Sequence, residues 1–143
     1  MTLAGAGYSG TPLPRKLGIK DGMVLVTVHA PPDFAATLGE LPMEAEWKAR
    51  LGPGTDVVVA FYTKRSALER EWPRLTNAAT PAGTVWVAWP KKAGPQQTGR
   101  VPTDITEDVL REVLLPTGWV DNKVCAIDET WSGLRFALRR ELR

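Results

Sequence analysis

Three stretches of this chain are apolar almost without interruption and rich in β-branched residues: 23–30, 56–62 and 84–89. A strand with one wet face alternates apolar and polar residues, so a continuous run requires cover on both faces, as in a parallel sheet sandwiched between helices. The segments between the runs carry helical stripes. Met43, Trp47 and Leu51 recur at steps of four before Gly52-Pro53-Gly54, which predicts a helix over 43–51. Ser66 with Glu69 has capping-box spacing ahead of Leu68, Trp72 and Leu75, and Pro73 should kink or shorten that helix. Asp104 with Glu107 repeats the spacing ahead of Ile105, Val109, Val113, Leu110 and Leu114.

After Pro116 to Gly118, Val120 to Ile127 reads as a fourth strand, and residues 134–139 alternate with period two as a half-exposed fifth. The link from Asp128 to Gly133 is too short for a crossover, so these two strands form an antiparallel hairpin at a sheet edge. The expected fold is α/β, a three-layer Rossmann-like sandwich with a mostly parallel five-stranded sheet. Counting predicted strands along the chain, the favoured order is 3-2-1-4-5, the last antiparallel. Residues 1–22, broken by glycines and prolines, make an irregular amino-terminal arm on a single domain at 23–143, and 93–99 reads as a mobile surface loop.

Bulk composition narrows the function. A net charge of +2 and 43% apolar residues exclude a disordered chain and argue against a nucleic-acid-binding class. One cysteine, Cys125, within an apolar run excludes an internal disulfide framework and points to a reduced, cytoplasmic setting. No apolar run approaches the roughly 18–20 residues of a membrane span. With one histidine and one cysteine 96 positions apart, no metal-ligand spacing exists, so no metal is expected.

Two of the apolar runs break into basic loops, Thr63-Lys64-Arg65-Ser66 and Pro90-Lys91-Lys92. Ligands of open α/β sheets bind outside the carboxyl ends of strands, and helix amino termini attract anions. The expected site is therefore a rim formed by Lys64, Arg65, Ser66, Lys91 and Lys92, completed by Asp128 and Trp131, that takes a small phosphate- or carboxylate-bearing ligand. The plain alternative is that these cations are solvated, and that Trp131 folds back over the sheet. His29, the sole histidine, would have to carry any hydrolase or isomerase chemistry, with Asp128, but no nucleophile elbow accompanies it. The loop His29-Ala30-Pro31-Pro32-Asp33-Phe34 stands where a dinucleotide or adenosylmethionine enzyme has glycines. Prolines there deny both flexibility and donors, so no nucleotide cofactor is expected.

The segments Tyr8–Leu13 with Lys16–Ile19, Val87–Lys92, Thr103–Asp108 and Val124–Phe136 together resemble a family of short bacterial proteins catalogued as a domain of unknown function. The resemblance spans nearly the whole chain. It implies a bacterial cytosolic single-domain protein and carries no activity, substrate or catalytic residue.

The leading expectation is thus a cytosolic α/β protein, more a binder than an enzyme, holding a small anion at the carboxyl edge. A second is a regulatory module that self-associates through the carboxyl-terminal hairpin, where the fifth strand would offer unpaired backbone groups beside Leu134, Phe136 and Leu138.

Overall fold

A computed structural model describes residues 10–91 and 101–143. Lys92, the loop 93–99 and residues 1–9 of the arm lie outside the described residues. The elements are α1 (Leu13–Lys16), β1 (Val24–Val28), α2 (Phe34–Leu38), β2 (Glu46–Lys48), β3 (Thr55–Phe61), α3 (Arg65–Ala78), β4 (Ala79–Pro90), α4 (Glu107–Leu114), β5 (Trp119–Ala126) and β6 (Trp131–Leu138). Short 3₁₀ turns follow α4 and β6. The strands form one mixed sheet in the order β2-β1-β3-β4-β6-β5. β2, β1, β3 and β4 are parallel, and β6 runs antiparallel to both β4 and β5.

The α/β class and the antiparallel hairpin match the expectation, but the strand order does not. The difference begins at 43–51, where the predicted helix is replaced by a short strand, β2, paired with β1. Met43 is 73% and Trp47 37% exposed, and Trp47 packs on Phe34 while Leu51 packs against the core on the opposite side of the sheet, so the stripe has no single buried face. A helix that short is marginal without a buried face. With β2 on one side of β1 and β3 on the other, the hairpin has no place beside β1 and extends the sheet beyond β4 instead. β6 is therefore an interior strand, with Leu134 and Phe136 buried in the core. This overturns self-association through the last strand, because its backbone groups are already paired on both sides.

Helices cover both faces. On one, Val58, Ala60, Val85 and Val87 meet Leu68, Trp72 and Leu75 of α3 and Leu110 and Leu114 of α4. Trp72 packs edge-to-face on Trp119 and Phe136, tying α3 to the hairpin. α3 passes through Pro73 to Ala78, where the Thr76 hydroxyl donates to the carbonyls of Trp72 and Pro73. On the other face Leu25, Val57, Val59, Phe61 and Trp86 meet Leu17, Ile19, Phe34 and Leu38. The fully buried Trp86 donates its indole N–H to the Leu17 carbonyl at 2.9 Å, which pins the segment after α1 onto the sheet. Among the described residues no helix is long and apolar enough to cross a membrane.

Trp86→Phe keeps most of the buried area but strands the Leu17 carbonyl. A loss of about 1–3 kcal/mol in urea denaturation is expected, with faster proteolysis near residues 10–20. An unchanged midpoint and an unchanged cleavage pattern would show that this bond does not hold the segment.

Candidate functional site

The strand order reverses at β1, whose neighbours β2 and β3 both follow it in sequence. In open α/β sheets the crevice at such a switch, outside the carboxyl ends, is the usual ligand position. Here it carries a polar cluster. His29, just past β1, has a left-handed backbone at φ 58°, a conformation uncommon for a residue with a Cβ. Its Nε2 lies 2.9 Å from Oε1 of Glu71 on α3, and the Tyr62 hydroxyl donates to the same oxygen at 2.7 Å. An ionised carboxylate only accepts, so both neighbours donate. The imidazole also stands edge-on to the Tyr62 ring, with centroids 5.4 Å apart.

Partial burial works against the Glu71 carboxylate, yet the hydrogen bonds from Tyr62 and His29, with the charges of His29 and Arg74, hold it below its ordinary value. Burial, then the bond to Glu71 and its charge, push the Tyr62 phenol far above its own. Behind this cluster, on the other face, Phe34 packs on Phe61 and Phe61 on Trp131, each pair with centroids 5.1 Å apart. Sequence reasoning singled out His29 but missed Glu71 and Tyr62. Glu71 lies mid-helix, 42 positions from His29, and no local spacing links them.

The basic rim is placed differently from what the sequence implied. α3 begins at Arg65, with Lys64 at its cap position and Ser66 exposed inside the first turn. The Arg65 backbone N–H donates to the Asp104 carboxylate at 2.7 Å, and the Arg65 guanidinium pairs with Glu112 at 3.0 Å and Glu69 at 3.6 Å. The chain's own carboxylates thus serve the helix end that was expected to hold an anion. Asp104 is consequently not the cap of α4. That role falls to Thr106, whose hydroxyl accepts from the Val109 N–H.

Asp128 is likewise spent on local structure, accepting from the N–H groups of Thr130 and Trp131, each at 2.8 Å. It stands at the tip of the hairpin, with β3 and β4 between it and β1, so it does not join His29 in a catalytic pair. Trp131 is half-buried and turns back over the sheet. Lys91, half-buried, bonds through its backbone N–H to the Thr130 carbonyl at 2.7 Å and borders a cleft.

That cleft, about 750 Å³, opens at the carboxyl end of β4 beside the approach to α4. Trp89, Pro90, Pro102 and Ile105 form its apolar wall, while Thr103, Thr106, Glu107 and Ser132 add polar groups. The approach is held in place because Thr103 Oγ1 and the Asp104 N–H both donate to the Thr63 carbonyl past β3.

No family model matches the chain, and no curated protein matches it. Solved structures do. A SAM-dependent methyltransferase from Aquifex aeolicus superposes with a TM-score of 0.59 at 13% identity, covering 85% of each chain. The fold is methyltransferase-like. DhpI in complex with SAH gives a TM-score of 0.59 at 16% identity over 90% of this chain and 83% of that one. The N-methyltransferase NodS from Bradyrhizobium japonicum gives 0.53 at 11% identity over 90% and 93%. These likenesses, together with the internal carboxylates at Arg65, overturn the small-anion reading of the rim and the small anionic partner it implied.

The Glu71 carboxylate has a folded-state pKa below its unfolded value, so its stabilisation is present above pH 4.5 and is lost as pH falls through the folded value. Glu71→Gln should therefore cost about 1–3 kcal/mol at neutral pH, and the gap from the parent should close in acid. Urea midpoints of both proteins across that range are the check; a gap that persists in acid would mean the charge is not what the cluster uses.

Proposed function

We propose that this chain binds a nucleoside-type ligand, a flat base on a polar sugar, in the cleft between β4 and the approach to α4. The carrying observation is the cleft itself, at the carboxyl edge of a methyltransferase-like sheet. Its volume of about 750 Å³ lies in the range of small-molecule sites. Trp89, Pro90, Pro102 and Ile105 suit the faces of a base, and the Ser132 and Thr103 hydroxyls with the Glu107 carboxylate suit sugar hydroxyls.

The crevice between β1 and β3 is the other place to consider, because the fold implies S-adenosylmethionine. Its residues do not fit that cofactor in the glycine-turn mode. The turn presents His29 in the left-handed position and then two prolines without donors, Phe34 is buried against Phe61, and β2 ends at Lys48 and is followed by Ala49 and Arg50, with no carboxylate there for a ribose. No methyl-transfer step is derived for this chain. The reading is of a ligand-binding protein that uses the methyltransferase-like sheet at a neighbouring position on the same edge.

Calorimetric titration with adenosine and with S-adenosylhomocysteine tests it. Saturable heat is expected, and Ser132→Trp, which fills the cleft, should weaken binding at least tenfold, about 1.4 kcal/mol. Absence of heat with both compounds would remove the reading. Binding that ignores Ser132→Trp but is lost in His29→Ala would move the site to the crevice.

A further inference from the structure

Two adjacent residues that line the cleft beside α4, Thr106 and Glu107, each have one hydrogen-bonding function committed and another open. Glu107, in the first turn of α4, gives its Oε2 to the Arg111 guanidinium one turn further on. Arg111 in turn reaches through its Nε to the Asp121 carboxylate of β5 at 3.1 Å. The Glu107 carboxylate is thereby tied to the β5–β6 hairpin through one oxygen, and among the described residues Oε1 has no partner. Thr106 accepts the Val109 N–H at 3.1 Å, and among the described residues nothing takes the proton of its hydroxyl.

An open acceptor beside an open donor selects among ligand groups. An ammonium only donates and would leave the Thr106 proton unmatched. A phosphate or carboxylate only accepts, and it would meet an uncompensated negative charge, because Glu107, Asp108 and Asp121 share the single Arg111 guanidinium. A hydroxyl does both, and a pair of neighbouring hydroxyls can donate to Oε1 with one member and accept from Thr106 with the other.

We propose that Glu107, with Thr106 beside it, reads the vicinal hydroxyls of a ribose and makes the cleft selective for ribonucleosides over nucleosides that lack them. The inference rests on the nucleoside reading of the cleft. Arg111 is a positioning residue: its hold on Glu107 and Asp121 together orders the carboxylate before a ligand arrives, so that ordering is not charged against binding. A sugar without hydroxyls would leave that oriented acceptor unpaired, which is the source of the selectivity. The Glu107 side chain is 41% exposed, so water replaces part of the missing contact. The discrimination is therefore about tenfold, far below that of a sealed polar site.

Calorimetric titration with adenosine and with 2′,3′-dideoxyadenosine is the test, and the ratio of the two affinities is the readout. Dideoxyadenosine should bind about tenfold more weakly. Glu107→Ala should bring adenosine down to the level of dideoxyadenosine while leaving the latter unchanged. Arg111→Lys should also lower the ratio, because one ammonium cannot hold Glu107 and Asp121 as the guanidinium fork does. A merely structural role for either residue would weaken both compounds alike and leave the ratio intact, and that result would overturn the proposal. Equal binding of the two compounds by the parent protein, still sensitive to Ser132→Trp, would remove the selectivity and leave the nucleoside site standing. Failure of adenosine to bind at all would remove both.

Discussion

Everything at the carboxyl edge depends on β3 being buried on both faces. Val57 through Phe61 are at most 2% exposed, so the strand can neither face water nor leave backbone groups unpaired. It must have a strand on each side and a helical layer above and below. β1 and β4 supply the first requirement, and α3 with the segment from α1 to α2 supplies the second. The ends of β1, β3 and β4 are then held within a few strand spacings of one another. His29, Tyr62 and the wall of the cleft inherit their positions from that ladder.

Electrostatics divides the molecule by face. On the α3 and α4 side carboxylates meet donors: Glu71 takes Tyr62 and His29, Asp104 takes the start of α3, and Arg111 gathers Glu107 and Asp121. These contacts fasten helices to strands across long stretches of sequence. On the far face of the hairpin the Arg135 guanidinium is held by the Asn122 amide and the Trp86 ring instead. An amide leaves the guanidinium its full charge, whereas a carboxylate would neutralise it.

Most of the framework was legible in the sequence. Continuous apolar runs mark β1, β3 and β4 because double-sided burial leaves no alternation, and the stripe of Leu110 and Leu114 marks α4 because helical period and burial coincide there. The stripe of Met43, Trp47 and Leu51 misled because periodicity records a possible face without recording whether any surface waits for it. The capping-box spacings at Ser66 and Asp104 misled for a related reason. A side chain competent to cap its own helix is equally competent to cap another, and Asp104 reaches α3 instead. Of the candidate site, His29 and the carboxyl edge were legible, and Glu71, Tyr62 and the cleft beside α4 were not.

The sequence alone determined the chemical class of each segment: which strands are buried on both faces, that the last two form a hairpin, and that the turn after β1 lacks the glycines of a cofactor loop. These are properties of residue type and local spacing, acting through backbone sterics and the hydrophobic effect over a few neighbours. Tertiary structure decided the strand order, the employment of each carboxylate and the like-charge pairing of Lys123 with Arg135. Each of these is a choice among partners distant in the chain, settled by which edges and donors remain open once the sheet has assembled.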